Sequence, residues 1–170
     1  MNNWIEIRQM TGSDVELVYR VFTEHGIGKP RDYILRCWEQ NEEGERITLL
    51  AFYQGQFAGS LHLLATSHYP YFVENGIPEI NDFNVIPPVR KLGIGNALMG
   101  AVEKIAFEKY CRVGIGVGLY QSYGNAQRLY AKRGYIPDGR GVMYQAQPVN
   151  PGTIVCVDDD LNLYFTKSRP

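Results

Sequence analysis

Val85–Ala106 reads VIPPVRKLGIGNALMGAVEKIA. Arg90, Gly93 and Gly95 stand where an amphipathic helix begins, just past Pro87 and Pro88. Glycine lets backbone approach a ligand with no Cβ in the way. The first N–H groups of a helix have no internal partner and, with the helix dipole, favour an anion such as phosphate or pyrophosphate. Arg90 and Lys91 add positive charge, and the prolines keep the strand exit out of helical conformation. The same residues also suit a plain strand-to-helix turn with solvated cations, and the short motif alone does not choose.

Nucleotide readings fit worse. A P-loop needs GxxxxGK followed by Ser or Thr, but Gly95 is followed by Asn96 and Ala97. A dinucleotide fingerprint needs GxGxxG, and Leu98 stands at its third glycine. The whole chain narrows the field further. Its 170 residues suit one domain, residues 1–170. A formal net charge of −1 offers no broad basic surface for nucleic acid. Cys37, Cys111 and Cys156 are widely spaced with no CxxC pair, which suits reduced thiols in a cytoplasmic protein. His25, His62 and His68 lack HExxH spacing, so no metal is expected. MNNWIEIRQM has no apolar core of a signal peptide, and no apolar run is long enough for a bilayer, so no membrane association is expected.

Hydrophobic spacing gives the element order. WIEIRQM alternates as a strand, and a helix capped by Ser13 or Thr11 runs to about Glu24. A second helix spans Arg31 to about Gln40. RITLLAFYQGQFAGSLHLLAT reads as a hairpin turning at Gln54-Gly55. SHYPYFVENGIP is an aromatic-rich loop, either packed or shaping an acceptor pocket with His68, Tyr69, Tyr71 and Phe72. EINDFNVI is a strand, Gly93 to Tyr110 a helix, RVGIGVGLY a strand and Gly124 to Arg133 a helix. YIPDGRGVMYQAQP predicts a turn and strand, and TIVCVDD and LNLYFTKS would close the sheet. Asp158, Asp159 and Asp160 read as an exposed turn rather than a metal site. This order predicts an α+β (mixed α/β) single domain, a twisted mixed β-sheet flanked by helices.

FNVIPPVRKLGIGNAL resembles the acyl-CoA-binding motif of the GNAT N-acyltransferase superfamily, with Arg90, Gly93 and Gly95 matching RxxGxG. AQRLYAKRGYIPDG resembles that family's AxxLYxxxGF segment through Ala126, Leu129, Tyr130, Gly134 and Tyr135. The resemblance covers nearly the whole element order, and the paired motifs are more specific than either alone.

It implies an acetyl-CoA-dependent N-acetyltransferase acting on a primary amine of a small molecule or peptide, by direct attack through a tetrahedral intermediate. The alternative is a non-catalytic acyl-CoA-binding or regulatory domain. The resemblance implies that backbone near Phe83, Asn84 and Val85 pairs with the pantetheine arm as an added strand would. Arg90, Lys91, Leu92, Gly93, Ile94, Gly95 and Asn96 would receive the pyrophosphate, and Ala126 would let the cofactor arm pass. The family's usual cofactor-contacting Asn is Tyr123 here; Asn125 either replaces it or only begins the helix. Tyr130 is implied as the acid for the departing thiolate, while its helix pattern alone suits a packed aromatic. Glu79 and Asp82 are candidate bases; three residues apart in a regular strand they face opposite sides, unless a bulge intervenes. His62 is a further candidate base, and attack by a neutral amine with no dedicated base stays open. The terminal strand segments could support a homodimer.

Overall fold

Apolar residues alternating with polar ones make Ile5–Gln9 the first strand, β1. The computed structural model describes residues 4–170; the expectation of no leader at Met1–Asn3 lies outside them. A short 3₁₀ turn, Gly12–Asp14, leads into α1, Val15–Glu24. Asp14 organises this entry: its Oδ2 accepts the Thr11 N–H and hydroxyl, both at 2.8 Å. Arg8 donates to the same carboxylate from both guanidinium nitrogens, at 2.8 and 2.7 Å. The fork from Arg8 outweighs burial and holds the Asp14 carboxyl down at about 2.

A depressed carboxyl pKa stabilises the fold above the unfolded value, and the gain is lost as pH falls through the folded one. Asp14→Asn is therefore expected to lose roughly 2 kcal/mol near neutral pH, and the gap to wild type should shrink toward about pH 2. Urea titrations across that range measure it; a gap independent of pH would remove the ion pair from the explanation.

The chain divides into two units. The first holds the chain up to Ala65 with Ile80–Ile105. It contains β1, α1, α2 (Arg31–Glu43), β2 (Arg46–Tyr53), β3 (Gln56–Leu64), nearly all of β4 (Glu79–Val85) and most of α4 (Ile94–Lys109). Its strands lie in the order β1-β2-β3-β4, with β1–β2 and β2–β3 antiparallel. Gln54 and Gly55 turn the hairpin with φ of 51° and 77°, the left-handed pair a two-residue turn needs. Val15, Val18, Phe22, Ile34, Leu50, Phe57 and Ile86 form the apolar core. Along α4, Ile94, Leu98, Val102 and Ala106 are buried at four-residue spacing, the expected inner stripe.

The second unit holds Thr66–Glu79 and Ala106–Pro170. It contains α3 (Pro70–Glu74), β5 (Arg112–Gly118), α5 (Gly124–Lys132), β6 (Ile136–Tyr144), β7 (Gln147–Pro148) and β8 (Leu161–Ser168). The strands lie in the order β5-β8-β6-β7, all antiparallel. Tyr69, Phe72, Ile77, Met143 and Tyr164 form its core, with Tyr69 stacked on Tyr164 at 3.9 Å.

Two local expectations change. SHYPYF is not all loop: Pro70 at the first helical turn starts α3, which drives Phe72 to full burial. TIVCVDD forms no strand; Ile154 is 98 % exposed and Val157 65 %. Its β-propensity finds no strand to pair with, because propensity alone supplies no ladder. Asp158, Asp159 and Asp160 at its end form a turn that collects tyrosines: Tyr123 donates to Asp159 at 2.8 Å and Tyr144 to Asp158 at 3.1 Å. Among the described residues no helix is long and apolar enough to cross a membrane.

Candidate functional site

The site is built outward from β4. Asp82 interrupts this strand with a φ of +48°, so β4 carries a bulge-like kink in its middle. A non-glycine residue in that region costs about 1–2 kcal/mol and persists only where its surroundings hold it. Those surroundings are well supplied with donors. Lys29 Nζ lies 2.5 Å from Asp82 Oδ1, and the Asn84 side chain donates to the same oxygen at 2.8 Å. The Tyr33 hydroxyl donates to Oδ2 at 2.8 Å, and His62 Nε2 lies 3.4 Å from it. Burial pushes the Asp82 carboxyl up, but His62 and the Lys29 ammonium win and hold it well below the ordinary carboxylate range.

Downstream of the kink the backbone is fixed by close packing. A Cβ on Gly59 would stand 2.3 Å from the Asn84 carbonyl oxygen, so only glycine lets β3 approach β4 here. Ile86 N–H donates to the Ala58 carbonyl at 2.9 Å. The Arg90 guanidinium folds back onto the Val85 carbonyl at 2.9 Å, so this cation braces the strand exit.

The helix entry follows. Pro87–Val89 form a 3₁₀ turn, Arg90 is extended, Lys91 has φ of 66° and Gly93 φ of 90°, and α4 begins at Ile94. The Gly93 carbonyl accepts the Ala97 N–H at 3.0 Å, which makes Gly93 the N-cap. Left-handed residues placed just before a helix turn successive backbone N–H groups toward one side, an arrangement that receives anions. Arg90, Lys91, Leu92, Gly93 and Asn96 are exposed, whereas Ile94 is buried and anchors the turn from below. A Cβ on Gly93 would meet only the Ile5 side chain, at 3.9 Å. The glycine answers to backbone conformation and to access from outside, not to crowding within the protein.

Glu79, at the other end of β4, belongs to the second unit. It is buried and accepts a hydrogen bond from the Ser67 hydroxyl. Burial pushes its carboxyl up, with the Ser67 bond opposing. Also in that unit, Tyr130 lies buried on α5. Burial alone raises its pKa above the usual tyrosine value. Asn125 is exposed at the start of α5 and Ala126 is half-buried. The Tyr123 hydroxyl donates to Asp159 at 2.8 Å.

The structure thus brings Phe83, Asn84, Val85 and Arg90–Asn96 together around one strand exit, and Asn125, Ala126 and Tyr130 along one helix. The clasp on Asp82 was not visible in the sequence. Lys29, Tyr33 and His62 all lie far from Asp82 along the chain, and the one signal was weak: aspartate tolerates positive φ better than most residues. His62 takes a structural place in that clasp, with 4 % of its surface exposed. No group of three or more His, Cys, Asp or Glu among the described residues is arranged to hold a metal ion.

The sequence matches the model of the Acetyltransferase (GNAT) family over residues 14–135. No curated protein matches it in sequence. Its fold is that of several solved structures. The acetyltransferase from Salmonella typhimurium that modifies the N-terminal serine of 50S ribosomal subunit protein L7/L12 aligns with a TM-score of 0.73 at 15% identity, covering 99% of this chain and 97% of that one. PaiA N-acetyltransferase from Thermoplasma acidophilum, solved in complex with coenzyme A, gives 0.68 at 16% identity, covering 97% and 99%. yncA from Salmonella typhimurium, solved with its cofactor acetyl-CoA, gives 0.68 at 17% identity, covering 98% and 94%. The mixed α/β class expected from the sequence is the class these structures share.

Proposed function

The chain belongs to the GNAT acetyltransferase family, and from that premise we propose that it transfers an acetyl group from acetyl-CoA to a primary amine of a small molecule or peptide. The observation that carries the reading is the helix entry at Lys91–Gly93, where two left-handed residues precede α4. A pyrophosphate fits this entry: exposed N–H groups, the positive end of a sixteen-residue helix and the Lys91 charge all favour it. The backbone of Phe83–Val85 suits an amide-bearing arm laid alongside as an added strand.

Acetyl-CoA supplies an activated thioester acyl group. The protein's own groups supply binding and proton handling. Lys91 to Asn96 hold the anion, and backbone N–H near Val85 serves the developing oxyanion. Glu79 takes the amine's proton through water; its raised pKa makes it a stronger base than an ordinary glutamate. Asp82, saturated with donors and held low, is a poor base. Tyr130 keeps its proton and presents it to the departing sulfur.

A thiol-release screen over polyamines, amino acids, aminoglycosides and peptides tests the reading. Peptides with a free N-terminus belong in it, because the Salmonella relative named above acts on an N-terminal serine. Coenzyme A binding without thiol release on any amine would leave an acyl-CoA-binding domain in place of an enzyme. With an acceptor in hand, activity should rise with pH through a limb lying above the usual glutamate value, since Glu79 acts deprotonated and burial raises its pKa. In Glu79→Gln that limb should vanish and kcat fall about tenfold. A limb that survives the substitution belongs to another group.

A further inference from the structure

We propose that Lys29 and His62 are positioning residues for this site: with Tyr33 they clamp the Asp82 carboxylate and so hold the kink in β4 that sets the backbone of Phe83–Val85. The proposal rests on the acetyl-transfer reading for its consequence, though not for its geometry.

The clamp draws on several separate segments of the first unit. Lys29 comes from the segment between α1 and α2, Tyr33 from α2, His62 from β3 and Asn84 from β4 itself. Both carboxylate oxygens are engaged, which leaves little proton affinity but firm orientation. Cys37 Sγ lies 3.9 Å from His62 Nε2, and Arg46 reaches that sulfur at 3.4 Å; these complete the titratable groups facing the clamp.

His62 is itself held from behind. Its Nδ1 lies 2.8 Å from the Thr48 hydroxyl. Thr48 Oγ1 already accepts from the Asn41 amide at 2.8 Å, so its own proton is free to go to Nδ1. That assignment puts the imidazole proton on Nε2, facing Asp82. Asn41 in turn donates to the Cys37 carbonyl at 2.6 Å and accepts the Thr48 N–H at 2.7 Å. A continuous polar chain therefore runs from the end of α2 across β2 and β3 to the kink. Lys29, Tyr33, Cys37, Thr48, His62 and Asp82 line one narrow space with too little room for a ligand, so the cluster is a clamp and not a pocket.

A left-handed non-glycine residue inside a strand relaxes when its restraints are removed. Loosening Asp82 should therefore mobilise the residues just beyond it while sparing the separate anion entry at Lys91–Asn96. Amide hydrogen exchange of β4 reads this without any turnover. In Lys29→Met, exchange at Phe83, Asn84 and Val85 should quicken by about fivefold or more, and Lys29→Arg should restore it. In turnover, Lys29→Met and Asp82→Asn should each lower kcat about fivefold, weaken coenzyme A binding by a similar factor through the loosened Phe83–Val85 backbone, and leave the midpoint of the pH–rate profile unmoved. The double variant should be no worse than either single one, because both release the same clamp. Lys29 is partly exposed, so its variants carry the test if Asp82→Asn fails to fold. Unchanged β4 exchange in Lys29→Met overturns the clamp. Loss of the acid limb in Asp82→Asn but not in Lys29→Met overturns it too, by making Asp82 a base. If wild type acetylates no amine while exchange responds as expected, the clamp stands and the transfer reading fails.

Discussion

Gly93→Glu is expected to weaken coenzyme A binding by roughly 100-fold while the protein stays folded. Two effects act together. Gly93 has φ of 90°, which a side-chain-bearing residue enters only with strain, so the N-cap of α4 and its N–H directions shift. The new carboxylate also stands where an anion is to be received. At about 4 Å two like charges repel by about 4 kcal/mol at an effective dielectric of about 20 and by about 1 kcal/mol in water; at this exposed, salt-screened entry roughly 1.4–3 kcal/mol remains, about ten- to hundredfold in affinity. Gly93→Ala separates the two, since it brings the strain without the charge; it should cost about tenfold or less. Calorimetric titration with coenzyme A, alongside a thermal melt of each variant, measures both. Equal affinity for wild type and a folded Gly93→Glu would take the pyrophosphate away from this helix entry.

That entry was legible in the sequence because its requirement falls on glycine, and glycine is visible. Gly93 announces positive φ, Ile94 and Leu98 announce the buried stripe, and Pro87-Pro88 announce the end of the strand. Lys91 shows the limit of this kind of reading. It is equally left-handed, yet its residue type signals only charge. The hairpin at Gln54-Gly55 was legible for the same local reason as Gly93. TIVCV misled because strand formation is decided by a partner and not by the segment. His62 and Asp82 were each read singly, as bases or bystanders. Their meeting depends on β3 and β4 lying side by side and on Lys29 folding back, and no spacing encodes that. Local conformation could be read where one residue pays its steric cost, while side-chain networks needed the tertiary fold.

Tyr130→Phe is expected to lower kcat by roughly 100-fold, with coenzyme A affinity changed by no more than about threefold. The side chain is buried and burial is what raises its pKa, so the substitution takes away one hydroxyl and keeps the packed ring. Its packing against Tyr135, with ring centroids 6.0 Å apart, survives in phenylalanine. A loss of rate therefore reports on the proton and not on the ring. The raised pKa bears on how that proton acts. Full transfer from a buried phenol to a thiolate is uphill, so the hydroxyl serves best as a strong hydrogen bond to the sulfur as its charge grows. The sign of the shift also fixes the pH behaviour. A raised pKa keeps the donor protonated as pH rises, so wild type should show no loss of rate from Tyr130 below about pH 10. General-acid assistance typically contributes 10²–10⁴-fold, and a thiolate, already a fair leaving group, places the effect at about the lower end. Steady-state kinetics on wild type and Tyr130→Phe, with coenzyme A binding measured separately, decide it. Wild-type turnover in the variant would return Tyr130 to a packing role and leave the sulfur to depart unaided.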